Sequence, residues 1–244
     1  MHSDRIHAML YDGHEREAVM KSDVVVCVSK EMQLHLAAKH AVPLDRFLVC
    51  PIFPRTPPAL RSPDDDEARE TTRPLVIYAG GTQVWQRIGD MARAIASLRN
   101  RMDFLCLTPH PDVLRAHLRE AKVPEWEIQR NVYSASHADV LAKYRLAQYG
   151  FLLRDGSIVN RVSCPTKLVE YLAHGVVPVL ESESVGDFIA HGMRFLKVRD
   201  LEAGIPDEAT RREMVEANYK VLKRLADQSR YGLGQLEKVL HAQA

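Results

Sequence analysis

The stretch Arg154–Glu181, RDGSIVNRVSCPTKLVEYLAHGVVPVLE, contains a strand end, a polar loop, a helix and another strand. Its apolar residues Leu168, Tyr171 and Leu172 recur with the period of a helix rather than that of a strand. Pro165 fits the first helical position, because its missing N–H would be unpaired there anyway. The pattern therefore predicts a helix that begins at Cys164-Pro165-Thr166.

The end of this helix and the start of a strand follow directly. Gly175 comes after His174, and glycine is the residue best suited to a left-handed C-terminal cap. Val176–Leu180 is a β-branched apolar run of the kind that forms a buried strand in a parallel sheet. The order strand, loop, helix, strand is typical of an open α/β sheet.

The loop ahead of the helix has features that suit an anion. A helix N-terminus presents unpaired N–H groups and the positive end of the helix dipole, which together favour phosphate. Arg161 and Lys167 add formal charge there, and Glu170 lies one turn beyond Thr166 on the same side. This predicts a diphosphate at the helix tip and a ribose diol at Glu170. The alternative is an ordinary helix start with Glu170 on a solvated surface.

One motif in this stretch resembles a known family. Ser163-x-Pro165-Thr166-Lys167-x-x-Glu170-Tyr171-x-Ala173-x-Gly175, followed by Val177-Pro178-Val179, is similar to the donor-binding segment of GT-B glycosyltransferases. It looks most like glycosyltransferase family 4 and related bacterial polysaccharide-biosynthesis transferases, and the resemblance spans roughly residues 23–198. A second glutamate of the family motif, which contacts the transferred sugar, is replaced here by Val162.

The resemblance implies a retaining, metal-independent transferase whose donor is a nucleotide-sugar of the UDP or GDP type, with no separate cofactor. In the family the helix tip holds the diphosphate, and the glutamate at the place of Glu170 holds the ribose. Asn160 and Ser163 are expected to reach sugar or phosphate oxygens, and no catalytic base is identified. The expected donor-binding residues are Gly80, Gly81, Arg154, Asn160, Arg161, Ser163, Pro165, Thr166, Lys167 and Glu170.

Strand and helix patterns alternate from Leu75 to the end of the quoted stretch. This predicts an α/β fold with a doubly wound parallel sheet, Rossmann-like, corresponding to the C-terminal domain of the GT-B fold. The predicted strands are 75–79, 104–107, 132–133, 149–153, 176–180 and 195–198, with helices at 88–99, 112–121 and 137–147. Gly80-Gly81, Thr108-Pro109, Ser134 and Arg154–Lys167 all follow strand ends, so we expect them on one edge of the sheet.

The predicted organisation has four parts. Residues 1–53 form the end of a truncated N-terminal Rossmann-like domain, and residues 54–73 form a proline-rich linker with the acidic run Asp64–Glu67. Residues 74–205 form the donor-binding domain, and residues 206–244 form C-terminal helices. Three explanations stay open for the incomplete acceptor half: a fragment of a longer enzyme, a natural half with a separate acceptor-binding subunit, and a remnant without turnover.

Composition argues against several other classes. The chain has 33 basic and 32 acidic residues, with no basic stripe that would indicate nucleic-acid binding. It has no transmembrane segment on the basis of apolar run length, and its polar start lacks a signal core. Widely spaced cysteines favour a cytoplasmic location, free or peripheral to a membrane. The acidic run lies among prolines, and His14-Glu15 has no second histidine at helical spacing, so no bound metal is predicted.

Two rival functions stay open at this stage. A nucleotide-sugar 2-epimerase shares the fold, although its acid–base carboxylates and histidines are not found in the sequence. A non-catalytic interaction subunit would instead use residues 54–73 and 207–240 as docking surfaces. The expected partners of a transferase are the nucleotide-sugar, a glycan or lipid-linked acceptor, and a separate acceptor-binding N-terminal domain or subunit.

Overall fold

The computed structural model describes residues 2–53 and 73–242, with the side chains from residue 11 onward. The predicted linker and its acidic run lie outside the described residues, apart from Arg73. The first part contains two helices and two short parallel strands: α1 (His2–Lys21), β1 (Val25–Cys27), α2 (Lys30–His40) and β2 (Phe47–Val49). Ser29 is the N-cap of α2, because its Oγ accepts a hydrogen bond from Met32 N at 3.0 Å.

The second part is built on a parallel sheet of six strands. These are β3 (Leu75–Ala79), β4 (Asp103–Leu107), β5 (Val132–Tyr133), β6 (Tyr149–Leu152), β7 (Val177–Leu180) and β8 (Leu196–Lys197). The helices along the chain are α3 (Ile88–Leu98), α4 (Pro111–Glu120), α5 (Glu125–Asn131), α6 (His137–Tyr144), α7 (Ile158–Val162), α8 (Thr166–Ala173), α9 (Val198–Ala203) and α10 (Glu208–Ala242). The predicted α/β class and doubly wound sheet are confirmed.

The strand order is β5-β4-β3-β6-β7-β8, with every neighbouring pair parallel. The chain therefore moves outward from β3 in one direction and then returns to start again at β6. This is the strand order of the Rossmann fold, in which ligands bind outside the carboxyl ends of the strands where the direction reverses. The reversal point here lies between β3 and β6.

Alternation along β3 places a core on each face of the sheet. Val76 and Tyr78 belong to one buried cluster, and Ile77 and Ala79 belong to the other. Helices cover both faces, so both sets of side chains are removed from water. This double coverage explains why the strands are near-continuous apolar runs in the sequence.

Two local predictions are wrong, and two helices were not predicted. The segment that contains Asn160 and Arg161 is the short helix α7 rather than an irregular loop. Pro165 has extended backbone angles, φ −67° and ψ 112°, so it precedes α8 as its N-cap and does not occupy the first helical position. The carbonyl of Pro165 accepts from Leu168 N at 3.0 Å, which sets the first turn at Thr166. Helices α5 and α9 have no counterpart in the sequence prediction, because each is short and buries one side chain only.

Helix α10 connects the two parts of the chain. It packs on α8 and β7 and continues to β2, where Gly232 lies against the backbone of Val49. Asp187 adds a second connection, since its carboxylate accepts from Lys30 N at 2.7 Å and Glu31 N at 3.2 Å at the start of α2. No helix in the described ranges, 2–53 and 73–242, is both long and apolar enough to cross a bilayer.

Candidate functional site

The candidate site lies at the carboxyl ends of β3 and β6, where the strand order reverses. Gly80 directly follows β3, Arg154 lies just beyond β6, and α8 begins beside them. The first turn of α8 presents Lys167, and the second presents Glu170. The sequence prediction that these residues share one edge of the sheet is consistent with this arrangement.

Lys167 points back over the end of β3. Its Nζ lies 4.3 Å from the centroid of the Tyr78 ring, and a methyl group placed on Gly80 would lie 2.3 Å from that nitrogen. The ammonium nitrogen is buried and has no hydrogen-bond partner in the part of the chain that the structure describes. Burial and the nearby charge of Arg154 lower the pKa of Lys167 to about 7, against an opposing effect of Glu170.

Arg154 provides a second cation, whose side chain is half-buried. Its Nε is buried and also lacks a hydrogen-bond partner among residues 2–53 and 73–242. Burial lowers the pKa of the guanidinium, partly offset by Tyr78. Two neighbouring nitrogens of like charge, both out of water and unpaired, are energetically costly unless an anion is bound to them.

Glu170 lines a cavity of about 230 Å³, which also reaches Gly80, the residue next to the Lys167 ammonium group. Tyr144 donates its hydroxyl to Glu170 Oε2 at 3.3 Å, which orients the carboxylate. The other lining residues follow the ends of β3, β4 and β5 or belong to α6, and they include Gly80, Thr108, Ser134 and His137. The cavity therefore places a carboxylate, hydroxyl groups and backbone in reach of one small ligand.

Tyr171 fixes the position of α8 against the sheet. Its hydroxyl donates to Phe151 O at 3.1 Å, and its ring occupies the space beside Gly150, where an added methyl group would lie 2.6 Å from the ring carbons. Only glycine at residue 150 allows this close approach of helix and strand. The contact holds Lys167 and Glu170 at fixed positions relative to the strand ends.

The polar side chains of α7 and of Ser163 just after it contact other residues of the protein. Asn160 donates its amide to Asp155 Oδ1 at 2.7 Å, and Ser163 donates its hydroxyl to Asn160 O at 2.8 Å. Arg161 is exposed, and its Nε lies 4.0 Å from Glu31 Oε2 on α2. The structure thus places these three residues beside the cleft, in hydrogen bonds and an ion pair of the protein itself.

The remaining predicted residues have simpler surroundings. Gly81 accepts a hydrogen bond at its carbonyl from the Tyr78 hydroxyl. Thr166 is exposed at the start of α8, and Pro165 is buried as its N-cap. Cys164 is buried with its Sγ 3.8 Å from Ile52 O, and burial raises its pKa to about 11. This agrees with a structural rather than a reactive thiol.

Two tyrosines of the site are absent from the sequence prediction. Tyr78 lies within the apolar run LVIYA, where it resembles any other core residue of a strand. Tyr144 ends α6, and its ring packs edge-on against Tyr171 with centroids 5.1 Å apart. The available signal was that a buried tyrosine normally has a hydrogen-bond partner for its hydroxyl. Among the described residues, no group of three or more His, Cys, Asp or Glu side chains is arranged to hold a metal ion.

Comparison with solved structures shows what this fold resembles. A glycosyltransferase from Rickettsia africae superposes with a TM-score of 0.66 and 16% identity, covering 94% of this chain and 67% of its own. Sucrose-phosphate synthase from Thermosynechococcus elongatus superposes with a TM-score of 0.67 and 17% sequence identity, over 94% of this chain and 61% of the synthase. HepE from Anabaena in complex with UDP-glucose superposes with a TM-score of 0.63 and 11% identity, over 91% of this chain and 65% of HepE.

These likenesses show the fold, which is that of GT-B glycosyltransferases. The chain spans 61–67% of the length of these structures. In the sequence comparisons, no family model matches the chain and no curated protein is significantly similar to it.

Proposed function

We propose that the chain binds a nucleotide-sugar of the UDP or GDP type and takes part in transfer of its sugar to a polysaccharide or glycoconjugate acceptor. The observation that carries the proposal is the pair of buried, unpartnered nitrogens, Lys167 Nζ and Arg154 Nε, at the reversal point of a Rossmann-ordered sheet. The GT-B fold supports it, as does a structural neighbour described in complex with UDP-glucose.

The diphosphate would lie between Gly80 and the first turn of α8. There it would accept hydrogen bonds from Lys167, from Arg154 and from backbone N–H groups at the helix start. Charge develops on this group as the sugar leaves, and fixed cations in a water-poor site stabilise such charge strongly. Two cations supply the positive charge that a divalent ion supplies elsewhere, so we propose donor binding and transfer without a metal.

The ribose would lie one turn along α8, with its diol donating to the Glu170 carboxylate. Tyr144 holds that carboxylate in place. The base would extend into the cavity of about 230 Å³, which Thr108, Ser134 and His137 help to line. This order places diphosphate, ribose and base along one path from Lys167 to the end of β5.

The sugar would extend from the diphosphate toward α7. Asn160, Arg161 and Ser163 are proposed to contact sugar or phosphate oxygens, which requires them to exchange their present partners. On the basis of the family resemblance, we also propose that the transfer retains the anomeric configuration. The proposed domain boundaries are 1–53, 74–205 and 206–244. The acceptor, a glycan or a lipid-linked molecule, would bind largely through an N-terminal domain or subunit.

The test is a calorimetric titration of the full chain with UDP, GDP and their common sugar conjugates, with and without EDTA. The proposal predicts saturable binding of one nucleotide family that EDTA leaves unchanged. Absence of binding to all of them would overturn it, and binding abolished by EDTA would remove the metal-independent part. If the donor binds, turnover with candidate acceptors separates a transferase from a non-catalytic binding subunit.

A further inference from the structure

Helix α7 is held at its C-terminal end by two distant segments of the chain. The carbonyl of Arg161 accepts a hydrogen bond from Gly186 N at 2.9 Å, and the carbonyl of Val162 accepts one from the Ser29 hydroxyl at 2.7 Å. A helix of five residues is too short to be stable by itself. The position of α7 therefore depends on Gly186 and on Ser29, which directly precedes α2.

Asp187 connects the same turn to the start of α2. Its buried carboxylate accepts hydrogen bonds from Lys30 N at 2.7 Å and from Glu31 N at 3.2 Å. Ser29 Oγ accepts a third hydrogen bond, from Met32 N. Three of the four N–H groups that a helix start leaves free are thus satisfied, two of them by a residue from a distant part of the chain.

Gly186 allows these segments to meet at one point. Its φ of +62° lies in the left-handed region, and a methyl group on it would lie 2.1 Å from Ser163 O. The turn that carries Asp187 therefore packs directly on the end of α7. We call this set of contacts between the start of α2, the end of α7 and the turn at Gly186-Asp187 the α2–α7 junction.

The α2–α7 junction lies beside the side chains proposed to contact the sugar. Asn160 and Arg161 belong to α7, and Arg161 Nε lies 4.0 Å from Glu31 Oε2 in the first turn of α2. A shift of α2 would therefore change the position of both side chains. The residues proposed for the nucleotide lie on α8, which Tyr171 holds independently through its hydrogen bond to Phe151 O.

We propose that Asp187 is a positioning residue for the transferred sugar. By binding the start of α2, it fixes α7 and hence the places of Asn160 and Arg161. This inference rests on the proposed function, because it requires that α7 contacts the sugar of the donor. It adds that the N-terminal part of the chain controls the contribution of the sugar to donor affinity, whereas nucleotide affinity does not depend on it.

The first test needs no ligand. Amide hydrogen exchange at Arg161–Ser163 should be about tenfold faster in Asp187→Ala than in the wild type, since opening of α7 is then easier by about the value of one helix cap. The matched control Asp207→Ala removes the carboxylate that caps α10, where it accepts from Thr210 N at 2.8 Å, and should leave this exchange unchanged. Equal exchange in Asp187→Ala and the wild type would overturn the proposal.

The second test is calorimetry of the full chain with UDP or GDP and with the sugar conjugate of the same nucleotide that binds the wild type most tightly. Asp187→Ala should weaken binding of the conjugate about tenfold, as expected for one or two lost polar contacts, and leave binding of the nucleotide unchanged. Asp187→Asn keeps one of the two acceptor oxygens and should show an intermediate loss. Asp207→Ala should change neither affinity.

The outcomes separate this inference from the proposed function. Absence of nucleotide binding to the wild type would overturn the proposed function and, with it, the role of Asp187 toward a sugar. Normal nucleotide binding, with equal affinity of the conjugate for the wild type and Asp187→Ala, would overturn the positioning role alone. Equal weakening of nucleotide and conjugate would also overturn it, because Asp187 would then support the whole site.

Discussion

Gly80 and Lys167 occupy positions that depend on each other: a methyl group on residue 80 would lie 2.3 Å from the lysine Nζ. The absent side chain at the end of β3 makes room for a cation that arrives from α8. The same absence lets a ligand approach the backbone closely at the reversal point of the sheet. Gly80, the glycine that follows β3, therefore also determines where the Lys167 ammonium group lies.

Replacing Gly80 by Ala should move the tip of Lys167 without unfolding the protein. The close contact is with the flexible end of a side chain, so the lysine can turn away, and nucleotide affinity should fall about tenfold. Calorimetry and thermal unfolding measure the two effects. The matched control is Gly89→Ala, whose new methyl group would meet its nearest atoms at 3.7 Å on α3. Equal affinity in the two variants would contradict this placement of the lysine.

Stability and binding should both depend on the protonation of Lys167. Its pKa is lowered from 10.5 to about 7 in the folded protein. Between those values the unfolded chain binds the proton and the folded chain does not, so this residue makes stability rise with pH from about 7 to 10.5. Below about pH 7 the folded protein bears the full free-energy cost of burying the charged lysine. Each unit by which the pKa is lowered corresponds to about 1.4 kcal/mol of that cost.

A diphosphate favours the protonated lysine, so nucleotide binding at pH 8 should take up close to one proton per site. Calorimetry in buffers of different ionisation enthalpy measures this uptake directly. Affinity should also decrease as pH rises above about 7, where the free protein increasingly holds the neutral amine. Proton release on binding, or no net exchange, would be incompatible with a neutral buried lysine that pairs with phosphate.

Glu170→Gln should weaken binding of UDP but not of inorganic pyrophosphate, because the carboxylate faces the ribose and not the phosphates. A loss of about tenfold for the nucleoside diphosphate corresponds to one charge-assisted hydrogen bond. Tyr144→Phe should reproduce part of this loss, since it removes the hydroxyl that lies 3.3 Å from Glu170 Oε2. An equal loss for pyrophosphate would instead assign Glu170 to the general electrostatics of the site.

Gly232→Ala should destabilise the packing between α10 and β2. A methyl group there would lie 2.4 Å from Val49 O and 2.5 Å from Cys50 Sγ, so the helix must move away. Overpacking of this kind typically costs about 1–3 kcal/mol. The control Gly234→Ala has no atom within 4 Å of its new methyl group and should be neutral or slightly stabilising. Urea unfolding compares the two variants, and equal stability would show that α10 does not press on β2 at this residue.

The sequence could predict the sheet because each strand has two buried faces, as in LVIYA, where an uninterrupted apolar run has few alternative structures. It could also predict that Gly80, Arg154 and Lys167 share one edge, because parallel strands direct their carboxyl ends the same way. It could not predict that Asn160 bonds to Asp155, since a polar residue near a helix start has several possible partners at similar free energy.

The tertiary contacts of Tyr78 and Tyr144 could not be predicted from the sequence pattern either. Their apolar rings satisfy the core periodicity, so nothing local marks the hydroxyl groups as part of a site. Pro165 was predicted in the first turn of α8, but it is the N-cap, one position earlier. The local preference of proline does not distinguish between these two neighbouring positions. Short helices such as α7 are stabilised mainly by the contacts around them.

We expect the buried Lys167 ammonium to hold the donor diphosphate, and the variant Lys167→Met is the sharpest test of this role. Methionine keeps the length of the side chain and removes a buried, unpartnered charge, so the unliganded protein should be equally stable or more stable. Affinity for pyrophosphate and for the nucleotide should nevertheless fall about tenfold or more, whereas the exposed control Lys220→Met changes neither. Unchanged affinity in Lys167→Met, with the fold intact, would show that Lys167 does not hold the diphosphate.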